Sequence, residues 1–207
     1  MADNKRFGMV IDTTVCVGCQ TCAVSCNVSH ELPSDVLWSH VVSFDGDEVY
    51  QPTGTFPAPV LKFRPTLCNH CDNPACVKVC PTGAMHKDPE TGLVSVNEKR
   101  CVGCGYCHMA CPYNVPKVDR AKGHSVKCDG CADRVAQGLK PICVESCPLR
   151  ALDFGPVDEM QKLGERADFA PLPDKGLTGP NLYVVKPANA QPSVGFAGEI
   201  LNVSEVR

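Results

Sequence analysis

The side chains with the clearest chemical purpose in this chain are sixteen cysteines, which fall into four short runs. Thiolates are soft ligands that select zinc, copper(I) and iron–sulfur clusters. The most regular run has the form C-x2-C-x2-C-x3-C-P and extends from Cys101 to Pro112. Four thiolates within eleven residues are too many for one zinc ion with ordinary backbone geometry. This run therefore predicts an iron–sulfur cluster rather than a single metal ion.

The spacing of this run is the one found in two-cluster bacterial ferredoxins. There the first three cysteines of a run bind one cluster and the fourth binds the other, so one run implies a partner run. The cysteines of all four runs are Cys16, Cys19, Cys22, Cys26, Cys68, Cys71, Cys76, Cys80, Cys101, Cys104, Cys107, Cys111, Cys128, Cys131, Cys143 and Cys147. Because sixteen ligands divide into four sets of four, the count predicts four [4Fe-4S] clusters with no cysteine left over.

Three of the runs depart from the ferredoxin pattern without losing a ligand. Asn27 follows the last cysteine of run one, where proline is usual. Four residues, 72–75, separate the second and third cysteines of run two. Eleven residues, 132–142, separate those of run four. Each difference changes a loop between ligands and leaves the ligands in place.

Disulfides and zinc are the competing interpretations of these cysteines. An even count admits disulfides, but C-x2-C pairs repeated every third residue make a poor disulfide framework. Zinc sites use two C-x2-C pairs separated by a spacer, which fits run four best. The iron–sulfur interpretation is preferred because two intact C-x2-C-x2-C-x3-C runs in one chain are highly specific.

Composition narrows the classes of partner. The formal net charge is −3, and four oxidised clusters at about −2 each would bring the holoprotein to roughly −11. That charge argues against nucleic acid as a partner. No apolar stretch of about 18 residues predicts a membrane span, and MADNKRFGMV lacks the apolar core of a signal peptide. We expect a soluble or peripheral chain, with the side of the membrane open because a partner with a twin-arginine signal could export it.

Short strands and helices are expected to position the runs. FGMVID, residues 7–12, predicts a strand before run one, and residues 19–30 are compatible with a helix. Residues 84–87 and 93–96 predict a hairpin before run three. Residues 150–154 predict a strand after run four that could pair with FGMVID. Further helices are expected at Ala132–Gln137 and Val157–Arg166.

The predicted fold class is α+β, with two ferredoxin-like dicluster modules built from short hairpins, short helices and long loops. One module combines residues 1–30 with 117–167 and contains runs one and four. The other covers 67–116 and contains runs two and three. Residues 31–66 form a connecting insertion of strands and loops.

Residues 168–207 are expected to form an extended C-terminal arm that lies on a partner chain. They are rich in proline and glycine, and Leu182–Val185 is an apolar β-segment within them. A partner-docked strand would explain why this segment is apolar.

Three segments resemble the iron–sulfur (B) subunits of dimethyl sulfoxide reductase-type molybdoenzymes, a family of four-cluster electron-transfer subunits. The segments are CNHCDNPACVKVCPTGAMHK, CVGCGYCHMACPY and KCDGCADRVAQGLKPICVESCPLRALDFGPVDE. Some family members carry tryptophan at the second position of run three and hold a [3Fe-4S] cluster. Cys104 stands there in this chain, which implies a fourth [4Fe-4S] cluster.

The resemblance implies which runs exchange their fourth cysteines, whereas the spacing shows only that an exchange occurs. The implied ligand sets are Cys16, Cys19, Cys22 and Cys147 for cluster A; Cys26, Cys128, Cys131 and Cys143 for cluster B; Cys68, Cys71, Cys76 and Cys111 for cluster C; and Cys80, Cys101, Cys104 and Cys107 for cluster D. His70 and His108 lie inside runs two and three, and a hydrogen bond to sulfur or a structural role is expected for them rather than iron ligation.

The resemblance also implies a non-catalytic role in anaerobic respiration. Single electrons would pass between a quinol-linked membrane anchor and a large catalytic molybdenum subunit, and molybdopterin guanine dinucleotide is expected only in that partner. Cationic side chains close to a cluster should raise its potential; the candidates are Lys99, Arg100, Lys127, Arg134 and Lys140. Two alternatives stay open: the small subunit of a soluble molybdenum hydroxylase or dehydroxylase, and a free polyferredoxin.

Overall fold

Short elements of both kinds alternate along the chain in this computed structural model, which describes residues 6–44, 46–48, 51–55, 57, 61–187, 190, 193, 200–201 and 203. The strands are β1 (Phe7–Asp12), β2 (His40–Phe44), β3 (Gly46–Glu48), β4 (Gln51–Pro52), β5 (Lys62–Thr66), β6 (Met85–Lys87), β7 (Val94–Val96), β8 (Lys117–Asp119), β9 (His124–Val126), β10 (Leu152–Pro156), β11 (Glu165–Arg166) and β12 (Leu182–Val185). The α-helices are α1 (Thr21–Ser29), α2 (Ala75–Lys78), α3 (Tyr106–Ala110), α4 (Ala132–Ala136), α5 (Ile142–Glu145) and α6 (Val157–Leu163). The predicted mixture of helix and strand is confirmed.

A four-stranded sheet in the order β10-β1-β12-β11 joins the two ends of the chain. The predicted pairing of β1 with the strand after run four is confirmed, because β1 is antiparallel to β10 with Met9 opposite Phe154. On its other edge β1 is parallel to β12, with Met9 opposite Leu182. A strand in the middle of a covered sheet reads as a continuous apolar run, which accounts for the apolar sequence of β1.

The expectation that Leu182–Val185 docks on a partner chain is wrong. This segment is β12, and it pairs with β1 and with β11 of its own chain. Leu182, Tyr183 and Val184 are buried, so an internal contact accounts for their apolarity. Residues 186 onward lie mostly outside the described part of the chain, and the arm boundary at 168, like the module boundaries, stays a prediction.

Two-stranded hairpins flank the cysteine runs. The predicted hairpin before run three is β6–β7, with Met85 opposite Val96. The insertion contributes β2–β5 and β3–β4. The β8–β9 hairpin had no counterpart in the sequence analysis, and its turn forms because Asp119 Oδ1 accepts the backbone N–H groups of Ala121 and Lys122 at 3.0 Å each.

Cysteines belong to the hydrophobic core itself. Ile11, Phe154 and Val184 from the sheet pack in the same cluster as Cys22 and Cys143. Aromatic residues make up only 6% of the sequence. The thiols occupy core positions that large apolar side chains fill in other domains. No helix of the described residues is long and apolar enough to cross a membrane.

Candidate iron–sulfur centres

Each run opens with a C-x2-C turn whose third residue has a positive φ. That residue is Gly18 (69°) in run one, Gly103 (65°) in run three and Gly130 (77°) in run four. In run two it is His70, with a φ of 41°. The left-handed turn brings the two flanking thiols to the same side of the loop, and glycine adopts it without steric cost.

Gly103 shows why two of these turns require glycine. A Cβ atom there would lie 2.6 Å from the carbonyl oxygen of Gly123, and a Cβ at Gly18 would lie 2.3 Å from the ring of Phe63. We expect Gly103→Ala to destabilise the loop by about 1–2 kcal/mol for the positive φ and by about 1–3 kcal/mol more for the clash.

Gly123→Ala is the matched control for Gly103→Ala, because Gly123 has a φ of 73° and a Cβ there would meet nothing within 4 Å. Bleaching of the visible iron–sulfur absorption on heating measures the effect. It should occur at a clearly lower temperature in Gly103→Ala than in Gly123→Ala. Equal bleaching temperatures would show that the close approach of position 103 to the Gly123 carbonyl oxygen does not affect stability.

The cysteines predicted for cluster A line one cavity. Cys22 comes from α1, Cys147 follows α5, and the two helices are linked by a 2.6 Å hydrogen bond between the hydroxyls of Ser25 and Ser146. Burial raises the pKa of Cys22 to about 12, and the neighbouring Cys16 and Cys147 thiolates add to that rise. The N–H of Ala151 donates to Cys147 Sγ at 3.3 Å.

The cysteines predicted for cluster B line a second cavity. Burial raises the pKa of Cys26 to about 12, with the Cys131 thiolate as the next contribution. Cys131 is the N-cap of α4 with a φ of 50°, and its N–H donates to Asp129 Oδ1 at 2.8 Å. His30 Nε2 lies 3.4 Å from Cys131 Sγ. The sequence analysis missed His30, although its position four residues after Cys26 places it on the same face of the helix.

The cysteines predicted for cluster C interact with one another electrostatically. Burial raises the pKa of Cys71 to about 12, and the thiolates of Cys68 and Cys111 add to that rise. Cys76, on α2, has its pKa raised to about 12 by burial, with further contributions from Cys68, Cys111 and Cys71. Four thiols that suppress one another's ionisation need a positive charge between them, and a coordinated metal supplies it.

The cysteines predicted for cluster D line a third cavity. Backbone N–H groups point at two of them: Met85 donates to Cys80 Sγ and Ser125 to Cys101 Sγ, both at 3.3 Å. The Ser125 hydroxyl also lies 3.2 Å from Cys107 Sγ. Ser125 is a second residue that sequence reasoning missed, because it lies on β9 of the unpredicted hairpin.

The residues fit iron–sulfur clusters. All sixteen cysteines are free thiols, and the predicted ligand sets for clusters A, B and D each line one cavity. Burial is deepest in the sets for clusters A to C, and of the set for cluster D only Cys107 is buried. Of the five cations near the runs, Lys127 is buried at 3% exposure, and its Nζ donates to the carbonyl oxygens of Val94 and Cys128. The remaining four are exposed or partly exposed: Lys99, Arg100, Arg134 and Lys140.

Known proteins with similar sequences agree with this chemistry. The family described as "4Fe-4S dicluster domain" matches residues 59–157. The sequence is 47% identical over 205 residues to the B chain of anaerobic dimethyl sulfoxide reductase from Escherichia coli, covering 98% of this chain and 100% of the relative. It is 45% identical, with the same coverage, to the B chain of the same enzyme from Haemophilus influenzae. Protein NrfC of Escherichia coli is 40% identical over 158 residues, which are 76% of this chain and 68% of the relative.

The fold and the cysteine groups define an iron–sulfur protein of the 4Fe-4S dicluster class, whose task is electron transfer. Within that class, this protein belongs to the family of iron–sulfur B subunits of dimethyl sulfoxide reductase.

Proposed function

We propose that this chain relays single electrons through four [4Fe-4S] clusters, A to D, between a quinol-linked membrane subunit and a catalytic molybdenum subunit. The observation that carries the proposal is the spatial order of the cysteine groups. Cys22 of group A and Cys26 of group B lie four residues apart on α1, both buried. Cys76 of group C lies on α2, and Cys80 of group D follows two residues after the end of that helix.

The junction between groups B and C completes the order. Cys68 belongs to group C but also lines the cavity of group B. Burial raises the pKa of Cys128 of group B, and the thiolate of Cys68 is the next contribution to that rise. The two pairs of centres therefore meet at Cys68 and Cys128, which supports a continuous path A–B–C–D.

The two ends of this path reach the surface. Cys19 in group A and Cys104 in group D are the two exposed cysteines among the sixteen. Exposed apolar side chains surround both, with Val17 at 59% and Leu149 at 45% beside Cys19. Val102 and Tyr106 are 64% and 52% exposed in the loop and helix around Cys104. Exposed apolar patches mark protein interaction sites, so we propose that redox partners cover these ends.

The protein's own residues act on the clusters and on no substrate bond. An iron–sulfur cluster supplies reversible one-electron chemistry, and hydrogen bonds to its sulfurs and its degree of burial set the potential. The N–H groups of Met85, Ser125 and Ala151 supply such bonds. Molybdopterin guanine dinucleotide is placed in the large subunit in this proposal, as the family resemblance implies.

Anaerobic affinity purification from the native host tests this proposal. About sixteen irons per chain, no zinc, and molybdenum in a co-eluting large chain are expected. Addition of dimethyl sulfoxide to the reduced complex should reoxidise the clusters. Zinc in place of iron would overturn the cluster assignment. Sixteen irons with neither molybdenum nor a partner would make the protein a free polyferredoxin, and molybdenum in a complex without a membrane subunit would favour a soluble hydroxylase or dehydroxylase.

A further inference from the structure

His70 belongs to run two by sequence but faces the neighbouring centre in space. It lies between Cys68 and Cys71, which are group C cysteines, and it is 6% exposed. Its side chain lines the group B cavity, together with Cys128 and Cys131. His70 is therefore adjacent to group C cysteines in the sequence, whereas in space it lies in the group B cavity.

The hydrogen bonds of His70 identify the nitrogen that carries the hydrogen atom. The backbone N–H of Val94 donates to Nδ1 at 2.8 Å, so Nδ1 is the acceptor and Nε2 carries the hydrogen. Nε2 is buried and has no hydrogen-bond partner among the described residues. A buried donor without a partner is costly, and this one calls for an acceptor within the cavity.

Gly130 locates the unpartnered donor. A Cβ atom added at Gly130 would lie 3.3 Å from His70 Nε2. Gly130 lies between Cys128 and Cys131 in the C-x2-C turn of run four. The Nε2–H group therefore lies against the loop that presents two of the four group B thiols. An acceptor held by those thiols is in reach of the imidazole.

A comparison of the four runs shows that His70 occupies a strained position. The other three runs carry glycine there, with φ values of 65° to 77°. His70 adopts a φ of 41°, a region that side chains with a Cβ rarely enter. Such strain persists where the surrounding structure imposes it and is concentrated at functional sites. Glycine would adopt the positive φ of this turn without strain. The turn therefore does not account for the presence of an imidazole side chain at position 70.

We propose that the Nε2–H of His70 donates a hydrogen bond to a sulfur of the cluster held by Cys26, Cys128, Cys131 and Cys143, and that this bond raises the midpoint potential of that cluster. The inference rests on the proposed four-cluster function. A donor bond stabilises the extra negative charge of the reduced cluster more than the oxidised one, so reduction becomes more favourable. His70 makes no bond to iron and takes no part in electron transfer as a carrier.

Two substitutions separate this bond from the structural role of Nδ1. In His70→Asn, the amide oxygen takes the place of Nδ1 and keeps an acceptor for Val94, while the Nε2–H is lost. In His70→Gln, the amide nitrogen reaches the position of Nε2 and keeps a donor, while the Nδ1 acceptor is lost. Both variants are purified anaerobically as the holo complex, with iron counted and each cluster titrated by EPR.

We expect His70→Asn to retain full iron and to lower one of four midpoint potentials. The reduction equilibrium of that cluster should shift about tenfold, which is about 59 mV for a one-electron couple. His70→Gln should shift it clearly less. Electron–nuclear double resonance of the wild type, exchanged into D₂O, should show one strongly coupled exchangeable proton on this cluster that is missing from His70→Asn.

Four unchanged potentials in an iron-replete His70→Asn variant would overturn the proposal and leave the electron-transfer function standing. If His70→Asn loses iron, the wild-type resonance experiment decides, because absence of the exchangeable coupling overturns the proposal without any variant. Failure of the underlying function looks different: the wild type itself would then lack four [4Fe-4S] signals.

Discussion

Ending the chain after Asp168 is expected to prevent accumulation of the holoprotein. The truncation removes β12, whose Leu182 and Val184 are each 1% exposed and fill the sheet between β1 and β11. Full burial of such side chains contributes about 1.5–3 kcal/mol each, so two of them amount to roughly 3–6 kcal/mol before any ladder hydrogen bond is counted. Domains of ordinary stability have only about 5–15 kcal/mol in total.

A chain that ends after Pro187 is the control for this truncation. It keeps β12. Its described losses include the 2.9 Å hydrogen bond from the Leu201 N–H to the carbonyl of Ser43 and the packing of Ala190 against the main core. Iron and protein per cell after anaerobic expression measure both variants. The longer chain should hold close to the wild-type iron content. A soluble chain ending at Asp168 with about sixteen irons would show that β12 is dispensable.

Replacing Cys104 by alanine is expected to remove or convert one cluster and to leave three intact. Cys104 lines the group D cavity with Cys80, Cys101 and Cys107, and its exposed position allows water to reach a cluster that lacks this ligand. Iron should fall from about sixteen to about twelve per chain, or to about fifteen if a [3Fe-4S] cluster forms. Because group D ends the proposed path, electron flow through the complex should fall by more than tenfold.

Val102→Ala controls for disturbance of the same loop, since Val102 is 64% exposed and carries no ligand atom. EPR spectra of the reduced and oxidised proteins distinguish the outcomes. Val102→Ala should show four [4Fe-4S] signals. Four unchanged signals in Cys104→Ala would contradict the ligand set assigned to cluster D.

The elements that can be predicted from the sequence are those whose residue pattern lies within one short segment. FGMVID is apolar throughout most of its length because both faces of β1 are packed, with Met9 and Ile11 in the main core and Val10 against Val157 and Met160 of α6. The hairpin before run three has turn residues between two β-compatible segments. β12 was recognised as a strand but given the wrong partner, because an apolar run of four residues does not reveal which strand it pairs with. The β8–β9 hairpin is not predicted by the sequence pattern, because two of the three residues of Lys117–Asp119 are polar. The hairpin depends on the turn that the Asp119 side chain stabilises.

The directions in which side chains point at the sites are the feature that the sequence predicts least well. Spacing places His70 beside Cys71 and suggests a role near its own run. The positive φ of His70 and the position of Val94 turn the imidazole toward the next group instead. Ser125 and His30 were likewise brought to sulfur atoms by tertiary packing, which a pattern of cysteines does not describe.

The parallel pairing of β1 with β12 has a consequence for how the protein is made. In the proposed ligand sets, groups C and D use cysteines from Cys68 to Cys111 only, so their ligands leave the ribosome together. Group A in the same proposal needs Cys16 and Cys147, and the sheet formed by β1, β10 and β12 is complete only when residue 185 has emerged. Domains fold as units during synthesis. Cluster insertion is therefore expected to begin in the middle of the nascent chain and to finish where β1 meets β10 and β12.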